Sequence, residues 1–458
     1  MTVPAASVGY GAASLDIGLT RGLAEFIAAA RFEDLPAEAV DAARRGVLDW
    51  LGCALAGARH PTVNILVDTL AALQGPATAT VLGRGCRLGL LEAALANGQM
   101  GHVLDFDDTH MGGVVLHTSS PVLAALLALA QIRPTSGRTF ALAYALGFEA
   151  GVRTGQAAPD HHAGGWHLTG TLGSIAAGAA AAKLLGLDAR GVANAIAVAA
   201  TQAAGMQQNR GTMSKSFHAG KAAANGVLAA LLAERGFDGS EESLEGRRGF
   251  CRIYSARTDE AALLRDIGRR WEIAANGHKP YACGVVLHPA IDAMIALSGA
   301  AIEAAAVERV ELAVNPAAVT ITGVVKPRTG LKSKFSLTHT AAVAFLDGAA
   351  GIAQFTDARA AGADVAALAG RIAVTTDEGL ARDQAEATLV LSDGSRRTHR
   401  VAHASGTVAN PMSDAALSEK FRSNAGPVVG AARARALEEA VGRLFDLASA
   451  AELAERAA

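Results

Sequence analysis

Residues 101–120 read GHVLDFDDTHMGGVVLHTSS, and two long apolar segments meet in them. Three histidines (His102, His110, His117) and three aspartates (Asp105, Asp107, Asp108) crowd around Gly112 and Gly113. Upstream, Leu88 to Val103 has a helical pattern. Downstream, Pro121 to Ile132 resumes one behind a Ser119-Ser120 cap. Burying so many ionisable groups between core helices is costly unless they are paired. Converging ionisable groups are also the usual mark of an active site. The stretch therefore predicts a helical domain whose chemistry sits at a helix–helix junction.

The flanks extend that reading. Leu15 to Ala30 is a first helix. Asp34-Leu35-Pro36 starts a second, with proline in its first turn, and Val40, Ala43, Val47, Leu51 and Ala54 form its core-facing stripe. Thr62 to Leu73, Phe140 to Arg153, Leu168 to Leu185, Ala189 to Ala204 and His218 to Arg235 follow as helices, and Thr78 to Gly83 is short and β-like. Near Arg269 the character changes. Arg270 to Ala274, Val307 to Val314, Arg371 to Thr375, Ala387 to Leu391 and Arg397 to Val401 read as strands. The last two flank a Ser-Asp-Gly-Ser turn. Helices at Pro289 to Ala304 and Phe335 to Phe345 interrupt them, and the chain is helical again after Asn410-Pro411. The expected fold class is mainly α with α+β. It comprises a large helical domain (1–267), a smaller α+β lid domain (268–404) and C-terminal helices (405–458) that rejoin the first domain.

Composition narrows the function classes. Of the 458 residues, 51% are hydrophobic but only 4% aromatic, so the core is built from alanine on closely packed helices. A formal net charge of -2 gives no reason to expect a nucleic-acid or membrane partner. Cys53, Cys86, Cys251 and Cys283 form no CxxC pair, which fits free thiols in a reducing, cytoplasmic compartment. The N-terminus lacks the pattern of a signal peptide. The apolar run Gly173 to Ala182 soon meets Lys183 and reads as a buried helix.

Four clusters carry chemistry. In the first, one helical turn over Leu104 to Thr109 would put Asp105, Asp108 and Thr109 on one face. A carboxylate there would hold a histidine in one tautomer, and Asp107 would solvate the helix C-terminus. The second, His161 to His167, delivers His167 to a helix start beside Trp166, with His161 and His162 at the surface. The third pairs Lys215 with His218 near a helix N-terminus. A cationic first turn is unfavourable there unless an anion lies between them. The fourth, Gly277 to Gly284 followed by His288, contains Lys279, Tyr281 and Cys283, the last read as a buried bystander thiol. No Walker loop, strand-anchored GxGxxG or HExxH motif is present. Asp105, Asp108, His110 and His117 have metal-ligand chemistry, but the favoured reading needs neither metal nor organic cofactor. A cationic pocket fed by a carboxylate-held histidine suits removal of a proton next to a substrate carboxylate.

Taken together, HVLDFDDTH with His117-Thr118-Ser119-Ser120, GWHLTGTLG, GTMSKSFHAGKAAANGVLAALLAERGF, KPYACGVVLHPAID and KFSLTHTAAVAFLDG resemble the MmgE/PrpD family from about Asp49 to Asn410. That family includes 2-methylcitrate dehydratase, cis-aconitate decarboxylase and iminodisuccinate epimerase. The resemblance implies a helical domain with an α+β lid, a homodimer and cofactor-independent chemistry on a small polycarboxylate. It implies active-site roles for Asp105, Thr109, His117, His167, Lys215 and Lys279. From the residues themselves, His218 beside Lys215, and Tyr281 and His288 of the fourth cluster, are further substrate-binding candidates. Decarboxylase members are expected to carry an extra histidine at the place of Gly284, so its absence points away from them. The Cys283-Gly284 and His288-Pro289-Ala290-Ile291-Asp292 segments look more like the epimerase branch. The outcomes carried forward are therefore dehydration, epimerisation and decarboxylation. A carboxylate-binding protein without catalysis is the reading outside the enzyme class.

Overall fold

The computed structural model describes residues 18–73, 75–298 and 302–458. The N-terminal stretch read for a signal peptide lies outside them. So do residues 15–17 of the expected first helix and 299–301 of the helix expected from Pro289.

The first half is helical: α1 (Leu19–Ala29), α2 (Ala37–Gly57), α3 (Pro61–Ala72), α4 (Leu90–His102), α5 (Ser119–Ala130), α6 (Gly137–Ala157), α7 (Leu168–Leu184), α8 (Ala189–Ala200) and α9 (Met213–Glu234). Its axis is α7, in which every residue except Lys183 is buried against α5, α6, α8 and α9. Small side chains let these helices touch backbone to backbone. A Cβ added at Gly226 of α9 would fall 2.4 Å from the Ala177 Cβ of α7. One at Gly220 would fall 2.2 Å from the Leu95 carbonyl oxygen of α4. Glycine weakens a helix interior by about 1 kcal/mol relative to alanine, so these positions are tolerated because the close approach needs them. The approach sets the C-terminus of α4 beside the N-terminal turns of α9 and the start of α7.

Several expected boundaries move. Pro36 is the N-cap of α2 rather than part of its first turn. α9 begins five residues before His218, so Lys215 lies in its first turn. Ser119 and Ser120 are not caps. They lie within α5, after Thr118, and their hydroxyls are spent elsewhere. The strand expected at Arg270 to Ala274 is a 3-10 turn over Glu272–Ala275, followed by a two-residue strand Asn276–Gly277. The Glu272 amide is drawn to the Glu149 carboxylate of α6 instead of to a neighbouring strand.

The second half contains a four-stranded sheet ordered Ile372–Thr376, Val307–Val314, Ala385–Leu391, Arg396–Val401. The first pair is parallel and the others antiparallel. Val310, Leu312 and Val314 alternate inward as the period of two requires, and helix His288–Ser298 packs against Ala385–Leu391 and Arg396–Val401. Helix Asp414–Val429 then lies along α2, where the Lys420 Nζ donates to Asp49 (2.6 Å) and to the Phe106 carbonyl (2.8 Å).

Because α7 and α9 meet through Gly226, Gly226→Val should lower stability by about 3 kcal/mol or more, the upper range for overpacking a tight core. Gly442→Ala, where an added Cβ meets nothing within 4 Å, should be neutral or stabilise by up to about 1 kcal/mol. Equilibrium urea unfolding of both variants measures the contrast. Equal effects would mean that the helices can separate freely.

Candidate active site

The loop between α4 and α5 is not a helical turn. Asp105 takes a left-handed backbone conformation (φ +52°), which aspartate tolerates better than most residues but which still carries strain of order 1–3 kcal/mol. The conformation turns its carboxylate between two lysines. Lys215 Nζ donates to Oδ2 at 2.8 Å, and Lys279 Nζ donates to Oδ1 at 2.6 Å and to the Asp105 carbonyl at 3.0 Å. Burial alone would raise the Asp105 pKa, but Lys215 and Lys279 outweigh it and hold the carboxyl well below the usual range. The anion beside the cationic turn of α9 is thus the protein's own. Asp105 does not hold a histidine, contrary to the expectation from sequence.

That task falls to Asp107. It is fully buried rather than solvating a helix end. Its oxygens lie 3.0 and 2.9 Å from His102 Nδ1, and Ser120 donates to it at 2.8 Å. Burial would raise its pKa too, but His102 and His117 hold it far below the ordinary value. The adjacent Asp108 goes the other way. Burial and the nearby Asp49 push it up to about 8, although Ser119 (2.5 Å) and Asn276 (2.6 Å) donate to it.

His117 Nδ1 lies 2.9 Å from the Asp108 carbonyl oxygen, so the ring hydrogen is on Nδ1 and the lone pair on Nε2. Burial, helped by Lys279, brings its pKa down to about 3. His167, the N-cap residue of α7, faces His218 of α9 with Nδ1 atoms 2.9 Å apart. Burial depresses both, His218 to about 4. The His102 ring stacks on His167 (centroids 5.4 Å) and tilts against His117 (4.7 Å). A further lysine, Lys334, is buried on the lid side, where burial brings it down to about 8. Its Nζ donates to the Ala282 carbonyl at 2.6 Å. His102, Asp105, Lys215, Leu331, Lys334 and Phe335 line one cavity with about 10 Å³ of room for solvent, roughly one water.

The structure thus brings Asp105, His117, His167, Lys215, Lys279 and His218 together. It does not bring Thr109, Tyr281 or His288 into contact with them. The Thr109 hydroxyl reaches the Leu116 carbonyl at 3.5 Å, and its backbone pairs with Gly277. Tyr281 donates its hydroxyl to Asp292 at 2.5 Å, and its ring meets the buried His288 edge-on. His161, expected at the surface, is 1% exposed and packed among Trp166, Phe250 and Tyr254. The Cys283 thiol is buried and raised to about 12, as befits a bystander. His102, Asp107 and Lys334 escaped the sequence reading. The histidine and aspartate five residues apart across the end of α4 were the available signal. Lys334 lay unremarked within KFSLTHTAAVAFLDG. The four-residue set with metal-ligand chemistry does not assemble. Ligand-type atoms of His102, Asp107 and His117 do lie within 4.8 Å of one another. His102 and His117 hydrogen-bond through their Nδ1 atoms, to Asp107 and to the Asp108 carbonyl, and Asp107 also accepts from Ser120.

The chain matches two family descriptions: the MmgE/PrpD N-terminal domain over residues 21–261 and the MmgE/PrpD C-terminal domain over residues 281–445. The chain belongs to the MmgE/PrpD family. Among curated relatives, a cis-aconitate decarboxylase of Aspergillus terreus is 28% identical over 95% of this chain and 96% of its own length. That of Mus musculus is 28% identical over 88% and 86%. That of Homo sapiens is 30% identical over 52% and 50%. Among the described residues, no helix of this MmgE/PrpD protein is long and apolar enough to cross a membrane.

The buried titratable groups fix the sign of the pH response. His117 and His288 (about 3) and His218 and His278 (about 4) are held neutral by burial. An unfolded chain binds their protons near pH ~6.5, so stability is lost as pH falls from there toward 4. Glu149 (about 7) and Asp108 (about 8) hold protons that the unfolded chain releases near pH ~4. Their contribution is present at low pH and lost as pH rises through 7 to 8. Melting temperature should therefore peak near pH ~6.5–7 and fall on both sides. A flat profile from pH 4.5 to 8.5 would show that these groups are solvated.

Proposed function

We propose that the protein is a lyase of the MmgE/PrpD type that acts on a small di- or tricarboxylate through a carboxylate-stabilised carbanion. The observation that carries this reading is the meeting of Lys215, Lys279 and Lys334 around the single carboxylate of Asp105, beside a neutral His117 whose Nε2 is free to accept a proton. Three ammonium groups facing one carboxylate leave an excess of positive charge, which suits a polyanion. The neutral ring is the acceptor, and the ammonium groups stabilise the enediolate-like charge that develops when the proton leaves. A bound polyanion also offsets the part of the His117 depression that Lys279 and Lys215 add to burial. His167 and His218 face each other with Nδ1 atoms 2.9 Å apart. Loss of a leaving group gives the dehydratase-like outcome, which is the favoured one.

Decarboxylation is the second reading, favoured by the relatives named cis-aconitate decarboxylase. Against it stands Gly284, where the family's decarboxylases are expected to carry a histidine. Its missing side chain would lie 3.4 Å from Thr322 and near the Lys334 carbonyl, at the cavity's edge.

The decisive experiment incubates the enzyme with citrate, 2-methylcitrate, cis-aconitate and iminodisuccinate in deuterated water, followed by NMR. Turnover of one member, with deuterium at the α-carbon, is expected. A protein that only binds would leave the whole panel unlabelled. With that substrate, Lys215→Met should cost about 2–4 kcal/mol in kcat/KM, and His117→Gln should slow turnover roughly 10²–10⁴-fold. A Lys215→Met change of less than about threefold would remove the lysine from the reaction. Exhaustive chelation should leave the rate unchanged.

A further inference from the structure

The four imidazoles of the site are held differently. His167 and His218 are held by each other. His117 is held by a neutral main-chain carbonyl. His102, the last residue of α4, is held by the ionised carboxylate of Asp107, which contacts its Nδ1 with both oxygens. An ionised carboxylate only accepts hydrogen bonds, so the Nδ1 carries hydrogen and the Nε2 carries the lone pair. That Nε2 is buried and has no hydrogen-bond partner among the described residues. The ring lines the same cavity as Asp105, Lys215 and Lys334. Buried polar atoms are nearly always paired, so an orphan on a residue that lines a cationic cavity points to a partner supplied by a ligand. A carboxylate on the far nitrogen also stabilises a ring that takes up a proton at the near one, as in hydrolase triads.

We infer that His102 is a catalytic acid of this site, with Nε2 delivering a proton to the substrate and Asp107 as its positioning residue. The inference rests on the reading above that the cavity is an active site. In elimination, His117 takes the proton from carbon, and the electron pair left behind forms the double bond as the carbon–oxygen bond breaks. His102, which takes up a proton at Nε2 from solvent as the substrate enters, gives that proton to the departing hydroxyl, which leaves as water. His117 then loses its proton to solvent and His102 regains one. In decarboxylation, the electron pair of the broken carbon–carbon bond stays on the substrate, and His102 caps that carbon. The charged and titratable groups facing His102 are Asp105, Asp107 and His117 from the loop, His167 from α7, Lys215 and His218 from α9, and Lys334 from the lid side. Of these, Asp107 is the one bonded to its ring.

The test uses whichever panel substrate the wild type turns over. His102→Asn keeps a donor for Asp107 but removes Nε2. It should lower kcat about 10²–10⁴-fold, leave KM within about threefold and leave the melting temperature near that of wild type. Asp107→Asn should move the alkaline limb of the kcat–pH profile down by a unit or more and leave the acidic limb in place, because a proton on His102 then lacks its counter-charge. Asp107→Glu should restore part of that shift. A His102→Asn variant with wild-type kcat, or an Asp107→Asn variant whose rate falls equally at every pH, would overturn the inference while leaving the proposed activity standing. Should Asp107→Asn not fold, the His102→Asn rate decides by itself. A wild type that turns over none of the panel would overturn the proposed activity, and this inference with it.

Discussion

The site depends on one carboxylate held between two lysines. Asp105 accepts from Lys215 of α9 and from Lys279, which follows the short strand paired to Thr109–His110. These contacts span 110 and 174 residues of sequence, so the bridge ties the helical half to the start of the second half. Either lysine buried alone would be a large desolvation cost, and so would the carboxylate. Together they offset one another, and the left-handed backbone at Asp105 is what lets one side chain reach both. The strain at that residue is sustained by strong, charge-assisted bonds.

Neighbouring aspartates then acquire opposite states from their surroundings. Asp107 is held ionised by imidazoles and a hydroxyl. Asp108, one residue on, meets only neutral donors and the field of Asp49, which Lys420 itself binds. Pushing equivalent groups apart in this way is how a protein assigns them different work. Asp107 is available to stabilise a charged ring, whereas Asp108 serves as a hydrogen-bonded anchor linking α5, through Ser119, to Asn276.

The sequence made the helices legible because they rest on local periodicity. The stripe Val40, Ala43, Val47, Leu51, Ala54 lies in α2, and the alternation in Val307–Val314 lies in a strand buried on one side. Trp271 and Ile273 also alternate with polar residues, yet that segment is not a strand, because a tertiary bond from the Glu272 amide to Glu149 overrides the local pattern. The chemistry was legible as residue types gathered around glycines. Which carboxylate serves which cation was not, because Asp105 meets lysines 110 and 174 residues away. Drawn to them, Asp105 leaves the histidine to Asp107. Thr109 and Tyr281 sit in motifs that resemble the family's, yet their hydroxyls are taken up by Leu116 and Asp292. Motif position therefore fixes the neighbourhood of a side chain without fixing its direction.

The cavity between the two halves leaves room for about one water. The wall formed by His102, Asp105 and Lys215 is built from the ends of α4 and α9, which are locked by backbone contact at Gly220. Lys279 is fixed through the strand pair with Thr109–His110. The remaining wall, Leu331, Lys334 and Phe335, meets the helical half through the Lys215 ammonium, 5.2 Å from the centre of the Phe335 ring, and nearby Arg210 donates to the Ile321 carbonyl at 3.3 Å. A cation over an aromatic face is worth only about 1–2 kcal/mol, so this wall rests on weaker contacts than the glycine-packed helices do. Lys334 on it adds to the positive field of Lys215 around the cavity.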